Sequence, residues 1–284
     1  MKFDLLLGPL LLIYQMPKTG SQTVEATLRE CGFPRQVWRF HYLSKLQEAM
    51  LSEQLAGTAA EETWKTDVRD QLVLLRRMSR MLRRRRWLRR LGLPVQRIEV
   101  ITGARELIGL ALSSIFENRA FFAPCGQELT PEACRTELER PGMFSNLDHW
   151  FDLELKASTG VDIYRTPFPR KKGYTIVQNS FARVLVYRIE ALENLPQMLH
   201  DFLGCRVRTV EDRNRSETKT YAGNYESVRS RLRLPPALVE ARYRTRVMRY
   251  FYDHDELEVF RRQWSERPPR GEAGPHRAAS PVGR

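Results

Sequence analysis

Short apolar runs alternate with helical patterns along this chain. The run 5–13 predicts a buried first strand, and other runs predict strands over 36–40, 97–102 and 183–187. Helical periodicity predicts helices over 23–30, 61–90, 107–121, 130–139, 146–158, 221–232 and 236–260. It also predicts one helix that begins at 44 and another that ends at 204. Runs 161–164 and 174–177 predict a β-hairpin or a cap beside the sheet. The alternation predicts an α/β fold, with a central, mostly parallel sheet flanked by helices and a helical C-terminal part.

The length and composition suit one domain. The chain has 284 residues, of which 42% are hydrophobic, enough for a sizeable core. We expect a single domain over 1–266 with a basic helical insertion at roughly 61–92. From 267 to 284, Pro, Gly, Arg and Ala dominate, so we expect this tail to be disordered.

The first apolar run is too short for a membrane span. It has about nine residues where roughly 20 are needed, and it lacks the flanks of a signal peptide. The cysteines are widely spaced, which is typical of a reducing compartment, and the histidines do not pair at metal-binding spacing. We therefore expect a cytoplasmic protein with no metal ion.

The net charge of +13 predicts attraction to anionic partners. Nine arginines lie between Arg76 and Arg90, on a helix that also carries apolar positions. A basic amphipathic helix can bind an anionic membrane surface, and we expect attachment to the inner face of the membrane through this segment. A solvated helix packed on the domain is the alternative. No nucleic-acid fold signature is present, so we expect no specific nucleic acid partner.

A polar loop with one lysine joins the first strand to the first helix. Lys18 and Gly20 lie in this loop, and Thr19, Ser21 and Thr23 add hydroxyl groups. Backbone N–H groups and the helix dipole converge at such a point, so the natural ligand is a phosphate or sulfate. The loop is not a Walker A motif, because Lys18 precedes Gly20.

A second anion-binding pattern follows the strand at 97–102. Arg105 comes between this strand and the next helix, and Ser113 lies two turns into that helix. Arginine can clamp a phosphate with two hydrogen bonds, and a helix serine can add a hydroxyl donor. The alternatives are a surface ion pair of Arg105 with Glu106 or Glu99, and a packing role for Ser113.

The first loop, PKTGS, resembles the 5′-phosphosulfate loop of sulfotransferases that use 3′-phosphoadenosine 5′-phosphosulfate (PAPS). The segment TGARELIGLALSSIFEN resembles the 3′-phosphate motif of the same family, and RVLVYRIEAL with a helix ending in FLG resembles a third block. Gln22 and Leu107 depart from the usual residues of the first two motifs, Ser or Thr and Pro respectively. The start IYQM and the segment 146–179 resemble bacterial capsular polysaccharide synthesis proteins, a sulfotransferase-like group.

This resemblance implies a P-loop-like sulfotransferase fold and transfer of a sulfuryl group from PAPS to a hydroxyl of a carbohydrate or glycolipid acceptor. It implies that the donor is held by Lys18, Thr19, Gly20, Ser21, Gln22, Thr23, Arg105 and Ser113, with Lys219 on a covering loop. Lys18 would also neutralise charge during the transfer, and no metal is required.

His41 is our first candidate for the catalytic base. It follows the strand at 36–40, and its ordinary pKa near 6.5 suits proton transfer. A structural histidine capping the strand is the alternative. Asp148, His149 and Asp152 are the other candidates for the base, and the neighbouring Trp150 and Phe151 either stack on a sugar or belong to the core.

Two other function classes compete with an enzyme of this kind. A non-catalytic protein of polysaccharide synthesis could use the basic surface to bind a nucleotide or a membrane. A P-loop kinase is disfavoured by the missing Walker A order and by the lack of an evident Asp for Mg²⁺.

Overall fold

The computed structural model describes residues 6–33, 36–57, 62–119, 128–207 and 221–266. Within them lies a five-stranded sheet of order β2-β1-β3-β5-β4. The strands are β1 Leu10–Tyr14, β2 Val37–Phe40, β3 Ile98–Ala104, β4 Tyr174–Gln178 and β5 Ala182–Arg188. Four strands run parallel, and only β4 is antiparallel to its neighbour. The predicted α/β fold with a mostly parallel sheet is confirmed.

Helices surround the sheet. They are α1 Ser21–Glu30, α2 Lys45–Gly57, α3 Glu62–Arg90, α4 Leu107–Glu117, α5 Pro131–Glu139, α6 Ser145–Asp148, α7 Ala157–Thr159, α8 Leu195–Leu203, α9 Ala222–Arg231, α10 Pro236–Tyr243, α11 Arg246–Phe251 and α12 His254–Trp264. A π-helix spans Phe151–Lys156, and 3₁₀-helices span Ile163–Arg165 and Ile189–Asn194. None of the helices in these ranges is long and apolar enough to cross a bilayer.

Both faces of the sheet are buried, which explains the near-continuous apolar strands. Along β1, Leu10, Leu12 and Tyr14 pack into one cluster. Leu11 and Ile13 pack into a second cluster on the other face. Two packed layers therefore hold the central strands in a fixed register.

Capping residues stabilise the starts of two helices. Ser44 accepts a hydrogen bond from the N–H of Gln47 at 3.2 Å, and Thr130 accepts one from Ala133 at 3.1 Å. Both residues cap a helix, as their sequence context indicates.

The boundaries of some elements differ from the prediction. The first strand begins at Leu10, and the helical residues 6–7 precede it. The run 161–164 forms no strand, because it enters a 3₁₀-helix, and β4 pairs with β5 instead. The helix expected over 146–158 changes to a π-helix at Phe151.

The helix expected over 236–260 is divided into three. A capping box at Asp253 begins the last one: Asp253 and Glu256 each accept a hydrogen bond from the other's N–H at 2.9 Å. The predicted tail, 267–284, lies outside the described residues.

Candidate functional site

The parallel strands end at a common edge, and the residues that follow them line one cavity of about 460 Å³. The loop after β1 carries Lys18, His41 follows β2, Arg105 follows β3, and Glu190 follows β5. Of the predicted site residues, the lining includes Lys18, Gly20, Ser21, Gln22, Thr23, His41, Arg105 and Ser113. The sequence therefore identified most of one wall of this cavity.

The loop before α1 has the backbone form of an anion site. Lys18 and Gly20 have φ angles of 63° and 87°, in the left-handed region. Gly20 is the N-cap, so no cap side chain bonds to the first N–H groups, and the first turn holds no acidic residue. Those N–H groups and the positive end of the helix dipole are therefore directed toward an external acceptor.

Lys18 is largely buried and pairs with a carboxylate of the cavity. Its ammonium lies 3.0 Å from Glu117 at the end of α4, and its side chain is 11% exposed. A bound anion would compete with Glu117 for this ammonium.

Thr19 does not contribute its hydroxyl to the cavity. Its side chain is fully buried and donates to the carbonyl of Met16 at 2.7 Å. The expected contact of this hydroxyl with a ligand is therefore not supported by its position, because the turn uses the hydroxyl internally.

Arg105 connects the two anion-binding patterns. Its guanidinium donates to the backbone carbonyl of Lys18 at 3.2 Å. Neither of the two described carboxylates considered as partners, Glu106 and Glu99, forms an ion pair with it. Glu106 instead caps α4, accepting from the N–H groups of Ile108 at 2.7 Å and Gly109 at 2.6 Å. Within the described residues, Arg105 therefore shows a backbone contact and no ion pair with either of these two carboxylates.

The two adjacent serines of α4 differ in their contacts. Ser114 donates to the carbonyl of Leu110 at 3.0 Å, within its own helix. Ser113 is 3% exposed, lines the cavity, and has no hydrogen-bond partner within the described part of the chain. Its hydroxyl is therefore available to a ligand.

His41 is held by backbone contacts on two sides. Its Nδ1 lies 3.0 Å from the carbonyl of Gln15, and its own carbonyl accepts from the indole N–H of Trp150 at 2.9 Å. A carbonyl only accepts, so Nδ1 carries the proton and Nε2 keeps its lone pair. Burial lowers the pKa of His41, with further lowering by Arg39, so the imidazole is neutral near pH 7.

A buried glutamate supports the segment that follows His41. One oxygen of Glu154 accepts from the hydroxyl of Tyr14 at 2.6 Å and from the N–H groups of Leu43 and Ser44 at 2.7 and 2.9 Å. This joins the π-helix to β1 and to the chain after β2, so the position of His41 depends on it.

The other candidates for a base lie elsewhere. Asp148 pairs with Arg242, and Asp152 lies 3.8 Å from Arg246 and 3.9 Å from Lys156. None of these acids, nor the exposed His149, lines the cavity. Trp150 and Phe151 are core residues rather than a sugar platform, because both are almost fully buried.

The remaining lining residues were not predicted. They include Glu106, Glu117, Glu190, Tyr225, Arg229, Phe260, Gln263 and Trp264. Burial raises the pKa of Glu190, although the hydroxyl of Tyr252 lies within 3.1 Å of both carboxylate oxygens and opposes this. Its place directly after β5 was the one local signal.

Trp264 closes the cavity on the side of the C-terminal helices. It is 1% exposed, and its indole N–H has no hydrogen-bond partner in the described ranges. A buried donor without an acceptor is costly, so an acceptor on a ligand would stabilise this wall. Lys219, the remaining predicted donor residue, lies outside the described residues. Those residues contain no group of three His, Cys, Asp or Glu placed to hold a metal.

Comparison with known proteins gives one family match. The model of the NKWYS family, described as "Putative capsular polysaccharide synthesis protein", matches residues 135–253. The matched part includes β4, β5 and Glu190, whereas the Lys18 loop, His41 and Arg105 precede it. No curated protein gives a significant match. The solved structures likewise give none.

Proposed function

We propose that this protein is a sulfotransferase that moves a sulfuryl group from PAPS to a hydroxyl of a carbohydrate. One observation carries the proposal: two separate anion-binding patterns and a neutral histidine line the same cavity at the strand ends. The family match indicates a role in capsular polysaccharide synthesis, which favours a glycan acceptor.

The polar groups that line the cavity suit a ligand with phosphate-like groups at two positions. The N–H groups at the start of α1 would hold the 5′-phosphosulfate, and Arg105 with the Ser113 hydroxyl would hold the 3′-phosphate. The volume of about 460 Å³ is in the usual range for a nucleotide-sized ligand. Tyr225, Phe260 and the indole N–H of Trp264 would receive the adenine.

The donor supplies a sulfur atom that is already electrophilic, so the protein provides position, charge and a base. Nε2 of His41 takes the proton of the acceptor hydroxyl as its oxygen bonds to sulfur. At the same time the bond from sulfur to the 5′-phosphate oxygen breaks, and Lys18 neutralises the charge left on that oxygen. The proposed step balances: the proton passes to His41, and the electron pair of the broken bond between sulfur and oxygen stays with the departing phosphate.

The first experiment is a thermal-shift titration with adenosine 3′,5′-bisphosphate, 5′-AMP and ATP. Preferential stabilisation by the bisphosphate is expected, because only this ligand satisfies both anion sites. Transfer of labelled sulfate to capsular oligosaccharides in the presence of EDTA would then establish the activity and separate it from magnesium-dependent phosphoryl transfer.

Two outcomes would count against an enzyme. No stabilisation at millimolar bisphosphate would remove the donor site from the proposal. Tight bisphosphate binding without transfer to any capsular oligosaccharide would favour the non-catalytic nucleotide-binding alternative.

A further inference from the structure

One face of α3 exposes apolar and cationic side chains together. Val73 and Trp87 are 63% and 59% exposed, and directly after the helix Leu91 and Leu93 are 58% and 45% exposed. Val73, Arg80, Arg84, Trp87 and Leu91 follow one another at intervals of three, four or seven residues. Such intervals place them on one line along the helix.

One exposed arginine of this face, Arg76, pairs with Glu48 at 2.8 Å, and the others have no acidic partner in the described ranges. These other exposed arginines are Arg77, Arg80, Arg83, Arg84 and Arg90. None of these five forms an ion pair with any residue that the structure describes, and the sequence holds no Asp or Glu between Asp70 and Glu99. The face therefore presents uncompensated positive charge beside its apolar side chains.

Other arginines of the same helix hold it against the rest of the protein through hydrogen bonds to backbone carbonyls. Arg85 is fully buried and donates to the carbonyls of Gly8 at 2.8 Å and Gln96 at 2.9 Å. Arg86 donates to the carbonyl of Ser158 at 2.6 Å. The exposed face is thus preformed, and it needs no folding step to bind a partner.

The end of α3 also borders a basic cleft. Arg86, Arg89 and Arg90 line it together with Asn179 and Ser180, in a space of about 380 Å³. Arg86, Arg89 and the amide of Asn179 each donate one hydrogen bond to a backbone carbonyl. Arg90 and the remaining guanidinium N–H groups could bind a phosphate group. The cleft lies beside the helix turn that carries Trp87 and Leu91.

We propose that this face, defined by Val73, Arg80, Arg84, Trp87 and Leu91, docks on an anionic phospholipid membrane. A polyanionic glycan or nucleic acid would satisfy the arginines but would leave the exposed aliphatic side chains in water. A bilayer surface satisfies both, since phosphate groups meet the arginines while Trp87, Leu91 and Leu93 enter the interface. The surface is separate from the cavity, so it does not depend on the proposed transfer activity.

The test is flotation of the full chain with two kinds of vesicle, phosphatidylcholine alone and phosphatidylcholine mixed with phosphatidylglycerol. We expect binding to the mixed vesicles only, weakening as salt increases. The double variant Arg80→Glu, Arg84→Glu should bind at least about tenfold more weakly. The double variant Arg249→Glu, Arg262→Glu is the matched control: it changes the charge equally at exposed helix positions elsewhere and should bind like the wild type.

A second measurement separates a membrane from a polymer. Brominated lipids in the mixed vesicles should quench tryptophan fluorescence, and Trp87→Phe should remove most of that quenching while binding persists. Absence of binding to the mixed vesicles at low salt would overturn the proposal. Binding to heparin or DNA with no quenching by brominated lipids would overturn it too, in favour of a polyanion.

Discussion

The hydroxyl of Tyr187 donates a hydrogen bond to the backbone carbonyl of Thr19 at 2.6 Å. Tyr187 lies on β5, and Thr19 lies in the loop after β1, so the bond passes over β3 between them. Gly103 on β3 makes this possible, because a Cβ atom there would lie 2.7 Å from the tyrosine ring. The backbone form of the Lys18 loop is therefore set by two other strands.

We predict that Gly103→Ala destabilises the protein and weakens nucleotide binding. The added methyl group displaces the Tyr187 ring, at a cost of about 1–3 kcal/mol in the free energy of unfolding. Urea unfolding and bisphosphate titration would measure the two effects. Gly223→Ala is the control: a Cβ there meets nothing within 4 Å, and the residue lies in α9, so stability should stay equal or rise.

Lys18→Ala should abolish most of the proposed transfer. Loss of the ammonium leaves the charge on the departing phosphate unbalanced, which predicts a fall in kcat of at least about 100-fold. Lys171→Ala, at an exposed position outside the cavity, should have wild-type activity. Glu117→Gln should act in the opposite direction on affinity, because it removes the carboxylate that competes for Lys18. Wild-type activity of Lys18→Ala would contradict the site.

The serine pair of α4 offers a matched test of the 3′-phosphate site. Ser113→Ala should weaken binding of the bisphosphate by about 1 kcal/mol, roughly fivefold, and leave binding of 5′-AMP unchanged. Ser114→Ala should change neither affinity, since that hydroxyl bonds to its own helix. Isothermal titration with both nucleotides checks this. Equal losses for the two variants would contradict the assignment of Ser113.

The pKa of His41 should set the acid limb of the pH profile of kcat/KM for the proposed reaction. A neutral imidazole is the active form, and burial lowers the pKa of His41, so kcat/KM should fall only at a pH below its ordinary value of about 6.5. His41→Gln should lower kcat at least about 100-fold and remove this limb. An unchanged pH profile in this variant would show that another group takes the proton.

The same shift of the His41 pKa affects stability. Because the folded pKa is lower than that of the unfolded chain, the unfolded state binds more protons as the pH falls below about 6.5. The free energy of unfolding should therefore decrease on acidification in this range. His41→Gln should remove this contribution in urea unfolding measured as a function of pH.

Glu154→Ala should be one of the most destabilising substitutions near the site. It leaves the hydroxyl of Tyr14 and the N–H groups of Leu43 and Ser44 without their acceptor, which costs about 3 kcal/mol. Tyr14→Phe removes only one of these bonds and should cost about 1 kcal/mol. Urea unfolding measures both. Similar values for the two variants would show that the N–H groups find other partners.

The sequence predicted the residues at the strand ends, because an apolar run and the polar residue that follows it are both local signals. An apolar run that stops at a polar residue defines a strand end, and parallel strands bring their ends together. Lys18, His41 and Arg105 were found in this way, and they do line one cavity. Their chemical roles remain predictions.

Side-chain direction and long-range closure could not be predicted. The Thr19 hydroxyl looked equivalent to that of Ser21, yet a turn contact with Met16 directs it inward. Arg229 and Trp264 reach the cavity from helices far along the chain, and no local pattern specifies that packing. In the arginine-rich segment the side-chain directions could not be predicted either: Arg85 is buried, while Trp87 is exposed.

The anchoring contacts of Arg85 and Arg86 have a consequence for reach. Arg85 bonds to Gly8 and Gln96, and Arg86 bonds to Ser158 and lies over the ring of Phe181. Gly8, Gln96 and Phe181 lie just before β1, β3 and β5 begin, whereas the cavity lies where these strands end. Five to seven residues of strand correspond to about 20 Å. Earlier in the same helix, Ser79 donates to the carbonyl of Leu43, two residues after His41, so α3 runs alongside the strands from one end to the other. A membrane bound along the face from Val73 to Leu91 would therefore lie beside both ends of the strands: the end that Arg85 anchors and the end that carries the cavity.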